Sequence, residues 1–170
     1  TGYLTNVYIH NVTVFSNAND GIYIGTANTG TPAISGIYIG ESHLYSNGNN
    51  GNIWFGNGNG TIQNNNIHDA ASGSNNIELG DVGDKVITDN TLYNSDAAGI
   101  LFTSTSGTVL ASDNTIYNCT YGIGSTSSDD LTISGNDIYD GQGTSEGIFL
   151  NSHADSVATG NTIYKVLYGL

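Results

Sequence analysis

The sequence predicts an all-β solenoid with three faces, in which about seven coils of roughly 23 residues stack on one another. Three observations predict this fold: a short phrase recurs along the chain, each recurrence has apolar positions two residues apart, and strong helix formers are scarce among the abundant Gly, Asn, Ser and Thr. A chain of 170 residues fits one domain, so residues 1–170 are interpreted as a single solenoid segment.

The clearest repeat is a four-residue phrase with Asn first, an aliphatic residue third and an aromatic residue fourth. Residues 114–117 and 161–164 both read Asn-Thr-Ile-Tyr. The aliphatic position recurs at Val14, Leu44, Ile67, Leu92, Ile116, Ile138 and Ile163. Successive positions are 30, 23, 25, 24, 22 and 25 residues apart. A repeat of this length is one coil, which buries its apolar side only by stacking on its neighbours.

Two further apolar columns complete each coil. One column follows the first at Ile22, Ile53, Ile77, Ile100, Ile123, Ile148 and Leu170. The other precedes it at Ile9, Ile39, Ile62, Ile87 and Ile133, with Ala111 and Ala158 in the same place. Three short strands per coil, each with inward positions two apart, predict a right-handed three-faced parallel β-helix solenoid.

A column of asparagines marks the turn before the first apolar column. Its members are Asn65, Asn90, Asn114, Asn136 and Asn161. Asn tolerates the left-handed backbone conformation, and its amide can bond the equivalent amide one coil away. The longer first step of 30 residues predicts a protruding loop at residues 27–33.

At these columns the sequence resembles the parallel β-helix repeat family over essentially its whole length. That family includes pectate lyases, polygalacturonases, alginate lyases and epimerases, phage tailspikes, and surface-layer or adhesin repeats. The resemblance implies the fold, but it leaves the function open because one architecture hosts many chemistries. Neither end of the sequence reads as an amphipathic capping helix, so we expect an apparently uncapped solenoid that is part of a longer protein or stacks end to end.

The charge of the chain narrows its partners. The formal net charge is -13, with 15 acidic residues against two lysines and no arginine. Such a surface repels nucleic acid and anionic membranes and attracts divalent cations, and no segment is apolar enough to insert into a membrane. We expect an extracellular or cell-surface protein that contacts polysaccharide, neighbouring domains or further copies of itself.

Two outward rows are candidate contact surfaces. The residue after the first apolar column is Phe15, Tyr45, His68, Tyr93, Tyr117, Tyr139 or Tyr164, a row that either stacks coil to coil or contacts sugar rings. A second row lies between the inward positions of the following strand and supplies the glycan-contact candidates Tyr23, Trp54, Glu78 and Phe149. Packing beneath a neighbouring loop is the alternative for this second row.

The segment around Lys85 is the best candidate for catalysis. The resemblance to pectate lyases implies acidic residues that hold Ca²⁺ and a lysine or arginine that removes a proton from the substrate. Asp81 and Asp84 would bind Ca²⁺, and Lys85 would be the base with a lowered pKa. An ordinary surface turn explains the same residues.

Asp129 and Asp130 form a second candidate for calcium. Paired carboxylates are also what polygalacturonases use, but the other motifs of that family are missing here. Turn residues before a strand are the simpler interpretation of this pair. The histidines at positions 10, 43, 68 and 153 show no spacing typical of a metal cluster.

Two functions therefore remain open from the sequence. The first is a non-catalytic scaffold, adhesin, surface-layer or filament segment that requires no cofactor. The alternative is a Ca²⁺-dependent lyase or epimerase on acidic glycans, although a chain at net charge -13 repels a polyuronate unless Ca²⁺ screens it.

Overall fold

A computed structural model describes residues 4–25, 34–128, 130–151 and 154–170. The described residues form β-strands joined by short turns, without a helix. The strands are β1 (Leu4–Thr5), β2 (Tyr8–His10), β3 (Thr13–Phe15), β4 (Ile22–Ile24), β5 (Ile34–Ser35), β6 (Ile37–Gly40), β7 (His43–Tyr45), β8 (Gly51–Phe55), β9 (Gly60–Gln63), β10 (Asn66–His68), β11 (Asn75–Val82), β12 (Lys85–Thr88), β13 (Thr91–Ser106), β14 (Val109–Ser112), β15 (Thr115–Thr126), β16 (Leu131–Ser134), β17 (Asp137–Tyr139), β18 (Glu146–Asn151), β19 (Val157–Thr159) and β20 (Thr162–Tyr164).

Apart from β1 and β5, which form a two-stranded parallel sheet of their own, the strands stack in parallel on three faces, which confirms the predicted all-β solenoid. The first face is a seven-stranded sheet in the order β2, β6, β9, β12, β14, β16, β19. The second face consists of β3, β7, β10, β17, β20 and the first halves of β13 and β15. The third face consists of β4, β8, β11, β18 and the second halves of β13 and β15. Strands β13 and β15 run around the corner and so join the second and third faces into one sheet.

The register of the strands reproduces the apolar columns. Ile116 pairs with Leu92 in the coil before and with Ile138 in the coil after. The coil count differs slightly from the seven expected, because about five turns are complete. The predicted loop at residues 27–33 lies outside the described residues.

The core is a continuous stack of aliphatic side chains. Ile39, Leu44, Ile53, Ile67 and the equivalent residues of later coils are fully buried. Cys119 lies in the same cluster as a free thiol. Each coil adds its columns to those of its neighbours, so burial depends on stacking and not on contacts within one coil.

The asparagine column forms the predicted ladder of amides inside the turn. The Nδ2 group of Asn114 donates to Oδ1 of Asn136 at 3.0 Å and to the backbone oxygen of Ile87 at 2.9 Å. The left-handed conformation falls one residue earlier than predicted, for example at Asp113 with φ of 55°. The ladder asparagine therefore serves as a buried hydrogen-bonding group, and the residue before it makes the turn.

Candidate functional site

The aromatic row on the second face is a stack of rings. Neighbouring rings from Phe15 to Tyr164 have centroids 4.4 to 5.2 Å apart and lie within 11° of parallel. Each inner ring therefore has both faces covered by the coils above and below. A sugar ring packs on an aromatic face, so the inner rings of this row offer only their edges, and the geometry of the row favours stabilisation of the parallel sheet.

The third face brings three of the four glycan-contact candidates together. Tyr23, Trp54 and Glu78 occupy the same outward position on the neighbouring strands β4, β8 and β11. The rings of Tyr23 and Trp54 stack with centroids 4.6 Å apart and an interplanar angle of 12°. The side chain of Tyr23 is 59% exposed. We call Tyr23, Trp54 and Glu78 the aromatic–acid row.

Phe149 lies in the same register position but apart from this row. Leu101 and Gly124 occupy the two coils between Glu78 and Phe149. The Phe149 ring packs instead against Tyr121, with centroids 5.7 Å apart. The structure therefore separates a continuous sequence pattern into two aromatic pairs.

Glycines beside the aromatic pair leave room for the rings. A Cβ at Gly25 would lie 2.8 Å from Cε1 of Tyr23, and a Cβ at Gly56 would overlap the Trp54 indole. Both rings thus lean along their strands over a flat stretch of backbone. Small residues at these two positions fix the orientation in which the rings stack.

Glu78 is a half-buried carboxyl group with a specific partner. Its Oε2 accepts a hydrogen bond of 2.8 Å from Nδ2 of Asn75. Burial raises the pKa of Glu78 above its usual range; the Asn75 hydrogen bond acts in the opposite direction, and the negative charge of Asp20 adds to the increase. A carboxyl group has several acceptor positions, so Glu78 can accept further hydrogen bonds beside the one from Asn75.

Asp20 and Asn75 were missed as candidates by the sequence interpretation. Asp20 is held at the corner of the solenoid, where its Oδ1 accepts from the backbone nitrogens of Asn50 and Gly51. Both missed residues lie two positions before an inward isoleucine, Ile22 and Ile77 respectively. Aligning the residues two positions before the inward isoleucine in each coil would have identified Asp20 and Asn75. Strand alternation alone assigns this position to the interior of the solenoid.

Lys85, the candidate catalytic base, lies inside the solenoid. Its side chain is 1% exposed, and Nζ donates to the backbone oxygens of Val82 at 3.4 Å and Gly83 at 3.3 Å. The amine also lies 5.5 Å from the centre of the Phe55 ring. Burial lowers the pKa of Lys85 to about 8, while Asp81 and Asp84 oppose the decrease. The lowered pKa suits a base, but the amine points into the core and not toward the surface.

The candidate calcium ligands are distributed over separate turns. Asp81 and Asp84 are exposed, and Oδ1 of Asp84 accepts from the backbone nitrogen of Thr108 at 2.9 Å. Asp130 is an exposed turn residue with φ of 53°, whereas Asp129 lies outside the described residues. Within residues 4–25, 34–128, 130–151 and 154–170, no three or more His, Cys, Asp or Glu side chains converge. Calcium binding at these aspartates stays a prediction.

Comparison with sequence families and known structures gives a consistent result for the fold. The sequence model described as the right-handed β-helix region matches residues 33–170. In the part of the chain that the structure describes, no helix is long and apolar enough to cross a membrane. No curated protein sequence matches the chain.

Two solved structures of DFA-IIIase from Arthrobacter chlorophenolicus share the fold. The complex with GF2 is 15% identical, has a TM-score of 0.66, and is matched over 97% of this chain and 40% of its own. The form without its lid is 14% identical, has a TM-score of 0.65, and is matched over 98% of this chain and 42% of its own. This chain therefore spans about two fifths of the length of those structures, and likeness at this identity concerns the fold alone.

Proposed function

We propose that this chain, which belongs to the right-handed β-helix family, is a glycan-contacting segment of an extracellular or cell-surface protein. The observation that carries the proposal is the aromatic–acid row on the third face. A stacked Tyr23–Trp54 pair beside the half-buried Glu78 combines an apolar surface with a hydrogen-bonding group. Sites for small polar ligands typically combine these two elements.

The chemistry of the row suits a sugar. The C–H groups of a pyranose or furanose ring pack on an aromatic face, whose negative charge attracts weakly positive hydrogens. Tyr23 lies at the end of the stacked pair and is 59% exposed, so its ring is the one that would receive the sugar. The Glu78 carboxyl group, oriented by Asn75, can bond neighbouring hydroxyl groups of the same sugar. The resemblance to families that bind or degrade polysaccharides supports this assignment.

The charge of the chain selects the kind of glycan. A net charge of -13, with Asp20 acting on Glu78, disfavours a polyuronate. We therefore expect a neutral glycan to bind more tightly than an acidic one of similar size at low ionic strength.

Trp54 allows a direct test because it is the single tryptophan of the sequence. Its fluorescence should change in a saturable manner when a panel of neutral and acidic oligosaccharides is titrated. Tyr23→Ala and Glu78→Gln should each weaken binding about tenfold, since each removes one contact group of about 1 to 2 kcal/mol. Tyr8→Ala is the matched control, because Tyr8 is 69% exposed on the first face.

Retained affinity in both Tyr23→Ala and Glu78→Gln would contradict the proposal. So would the absence of any saturable signal with every glycan, provided that circular dichroism shows a folded β-protein.

A second candidate function is acid–base catalysis on the bound glycan. Glycosidases use a carboxylic acid of raised pKa as the general acid, and Glu78 is a half-buried carboxyl group whose pKa is raised by burial. Released reducing sugar, measured from the glycans that bind, tests this candidate. Glu78→Gln should abolish the release, and unchanged release in that variant would exclude Glu78 as the acid.

The calcium-dependent lyase centred on Lys85 has less support. Its base would have to leave a site where it is 1% exposed and bonded to two backbone oxygens. Unsaturated product from pectate or alginate in the presence of Ca²⁺, lost in Lys85→Ala, would restore this alternative.

A further inference from the structure

Two histidines of neighbouring coils face each other through their Nε2 atoms. His43 lies on β7 and His68 on β10, and these strands are parallel neighbours on the second face. The Nε2 atoms are 2.7 Å apart, and the ring centroids are 4.9 Å apart. At this distance the two nitrogens share a single proton, so one lone pair is directed at the other ring.

Asp69 determines which nitrogen of His68 carries a proton. The Oδ2 atom of Asp69 lies 2.8 Å from Nδ1 of His68, and a carboxylate can only accept there. Asn94 holds the other oxygen of Asp69 through a hydrogen bond of 2.8 Å. The Nδ1 of His68 is therefore the donor, and its Nε2 presents the lone pair to His43.

The aromatic stack holds the His68 ring in place. Tyr45 covers one face at a centroid distance of 5.2 Å, and Tyr93 covers the other at 4.4 Å. The His43 ring packs against Tyr45 at 4.7 Å in a tilted arrangement. The direction of the His68 lone pair is consequently fixed before any ligand arrives, which reduces the entropy lost on binding.

We propose that His43 and His68 form a two-histidine site for a divalent transition-metal ion, with Asp69 as the outer carboxylate. The metal takes the place of the proton between the two Nε2 atoms. That proton, the single ring proton of a neutral His43, moves to Nδ1 of the same ring, so that no proton is lost. A carboxylate that accepts a hydrogen bond from a metal-binding histidine is a common arrangement. The carboxylate orients the imidazole ring and makes the metal-binding nitrogen more basic.

Metal binding requires the pair to open and the His43 ring to turn. Zinc binds imidazole nitrogen at about 2.0 to 2.1 Å, so two tetrahedral ligands lie about 3.3 Å apart. The Nε2 atoms must therefore separate from 2.7 Å by about 0.6 Å, and the His43 ring must turn so that its lone pair meets the metal instead of the His68 nitrogen. Water completes the coordination, because the described residues hold no third converging His, Cys, Asp or Glu. Imidazole ligands select Zn²⁺, Cu²⁺ and Ni²⁺ over Ca²⁺ and Mg²⁺.

Calorimetric titration of Zn²⁺ into the metal-free full chain at fixed pH tests the site. We expect one Zn²⁺ per chain, with binding unaffected by an equal concentration of Ca²⁺. His43→Gln should lower the affinity at least tenfold, and Asp69→Asn should lower it 10- to 100-fold. His68→Tyr removes the ligand while keeping the ring that other coils carry at this position, so the aromatic stack and the fold are retained.

His10→Gln is the matched control, since His10 is an exposed histidine on the first face. Unchanged Zn²⁺ affinity in His43→Gln or His68→Tyr would overturn the proposal. Equal competition by Ca²⁺ would also overturn it, because that result would assign the binding to the acidic surface. Histidine ¹⁵N shifts at the Nε2 atoms of both residues, together with a shift at Nδ1 of His43 as it gains the proton, would support it independently of affinity.

Discussion

The buried Lys85 makes the free energy of unfolding of the solenoid depend on pH, and the substitution Lys85→Met should remove this dependence. Its pKa falls from 10.5 to about 8 on folding because the amine leaves water. The unfolded chain therefore binds more protons than the folded chain between these two values. It follows that the free energy of unfolding rises with pH in that window, and that the cost of burying the ammonium is fully present below pH 8.

The size of the effect follows from the same two values. A decrease from 10.5 to about 8 corresponds to about 3 kcal/mol at neutral pH. Between about pH 7.5 and about pH 9.5 the linkage relation returns about 2 kcal/mol of this cost. Lys85→Met keeps the length of the side chain and its apolar contact with Phe55 but cannot titrate. The substitution also removes the amine that bonds the backbone oxygens of Val82 and Gly83, which lowers stability at every pH. The informative quantity is therefore how the difference in unfolding free energy changes with pH, and not its value at one pH.

The assay is urea unfolding at several pH values for three proteins. We expect the difference in unfolding free energy between wild type and Lys85→Met to change by about 2 kcal/mol across this window, with wild type gaining as the pH rises. Lys165→Met is the matched control, because this second lysine is exposed and pairs with Asp140 at 3.1 Å. Parallel curves for wild type and Lys85→Met would refute the argument that Lys85 is charged at neutral pH in a dry environment.

Three further predictions concern the core and its ladders. Burial raises the pKa of Cys119 to about 12, so a thiol reagent at pH 8 should label it only as fast as the chain opens; rapid labelling of the folded protein would contradict its burial. Asn114→Ala should lower the unfolding free energy by about 3 kcal/mol because it leaves several buried polar groups unpaired, whereas Asn66→Ala, at an exposed strand position, should cost well under about 1 kcal/mol; similar costs in urea unfolding would contradict the role of the ladder. Gly122→Ala should lower the melting temperature, since its Cβ would meet the backbone oxygen of Gly147 at 2.5 Å, whereas Gly169→Ala meets nothing within 4 Å; equal melting temperatures would show that the coils can separate without cost.

The same two-residue alternation that identified the core also bears on Lys85. Lys85 lies two positions before the inward Ile87, and it shares its column with Gly60 and Val109. The two-residue alternation of a strand therefore predicts that the Lys85 side chain points into the solenoid, although its charge and its acidic neighbours suggested a base on the surface. Gly60 in the coil before provides room that a larger side chain would fill, since a Cβ there would meet the Phe55 ring at 2.7 Å.

The sequence by itself determined the solenoid, its columns and its asparagine ladder. Each of these depends on neighbouring coils that repeat the same residue at nearly the same spacing, so a one-dimensional pattern contains the information. It also determined which residues share an outward row, because strand alternation is a local property. The predicted position of the left-handed turn residue was wrong by one residue, because the amide ladder and the turn compete for the same short segment.

Only the tertiary structure decided which members of a row interact. Tyr23, Trp54 and Glu78 form one candidate site, in which Asn75 bonds the Glu78 carboxyl group and the charge of Asp20 acts on it, and strand alternation describes neither interaction. Likewise, His43 and His68 are 25 residues apart without any ligand spacing, yet parallel pairing of β7 and β10 brings their Nε2 atoms into contact. The physical reason is that contacts between coils depend on register, side-chain direction and local bulges together, and these are fixed only when the coils stack.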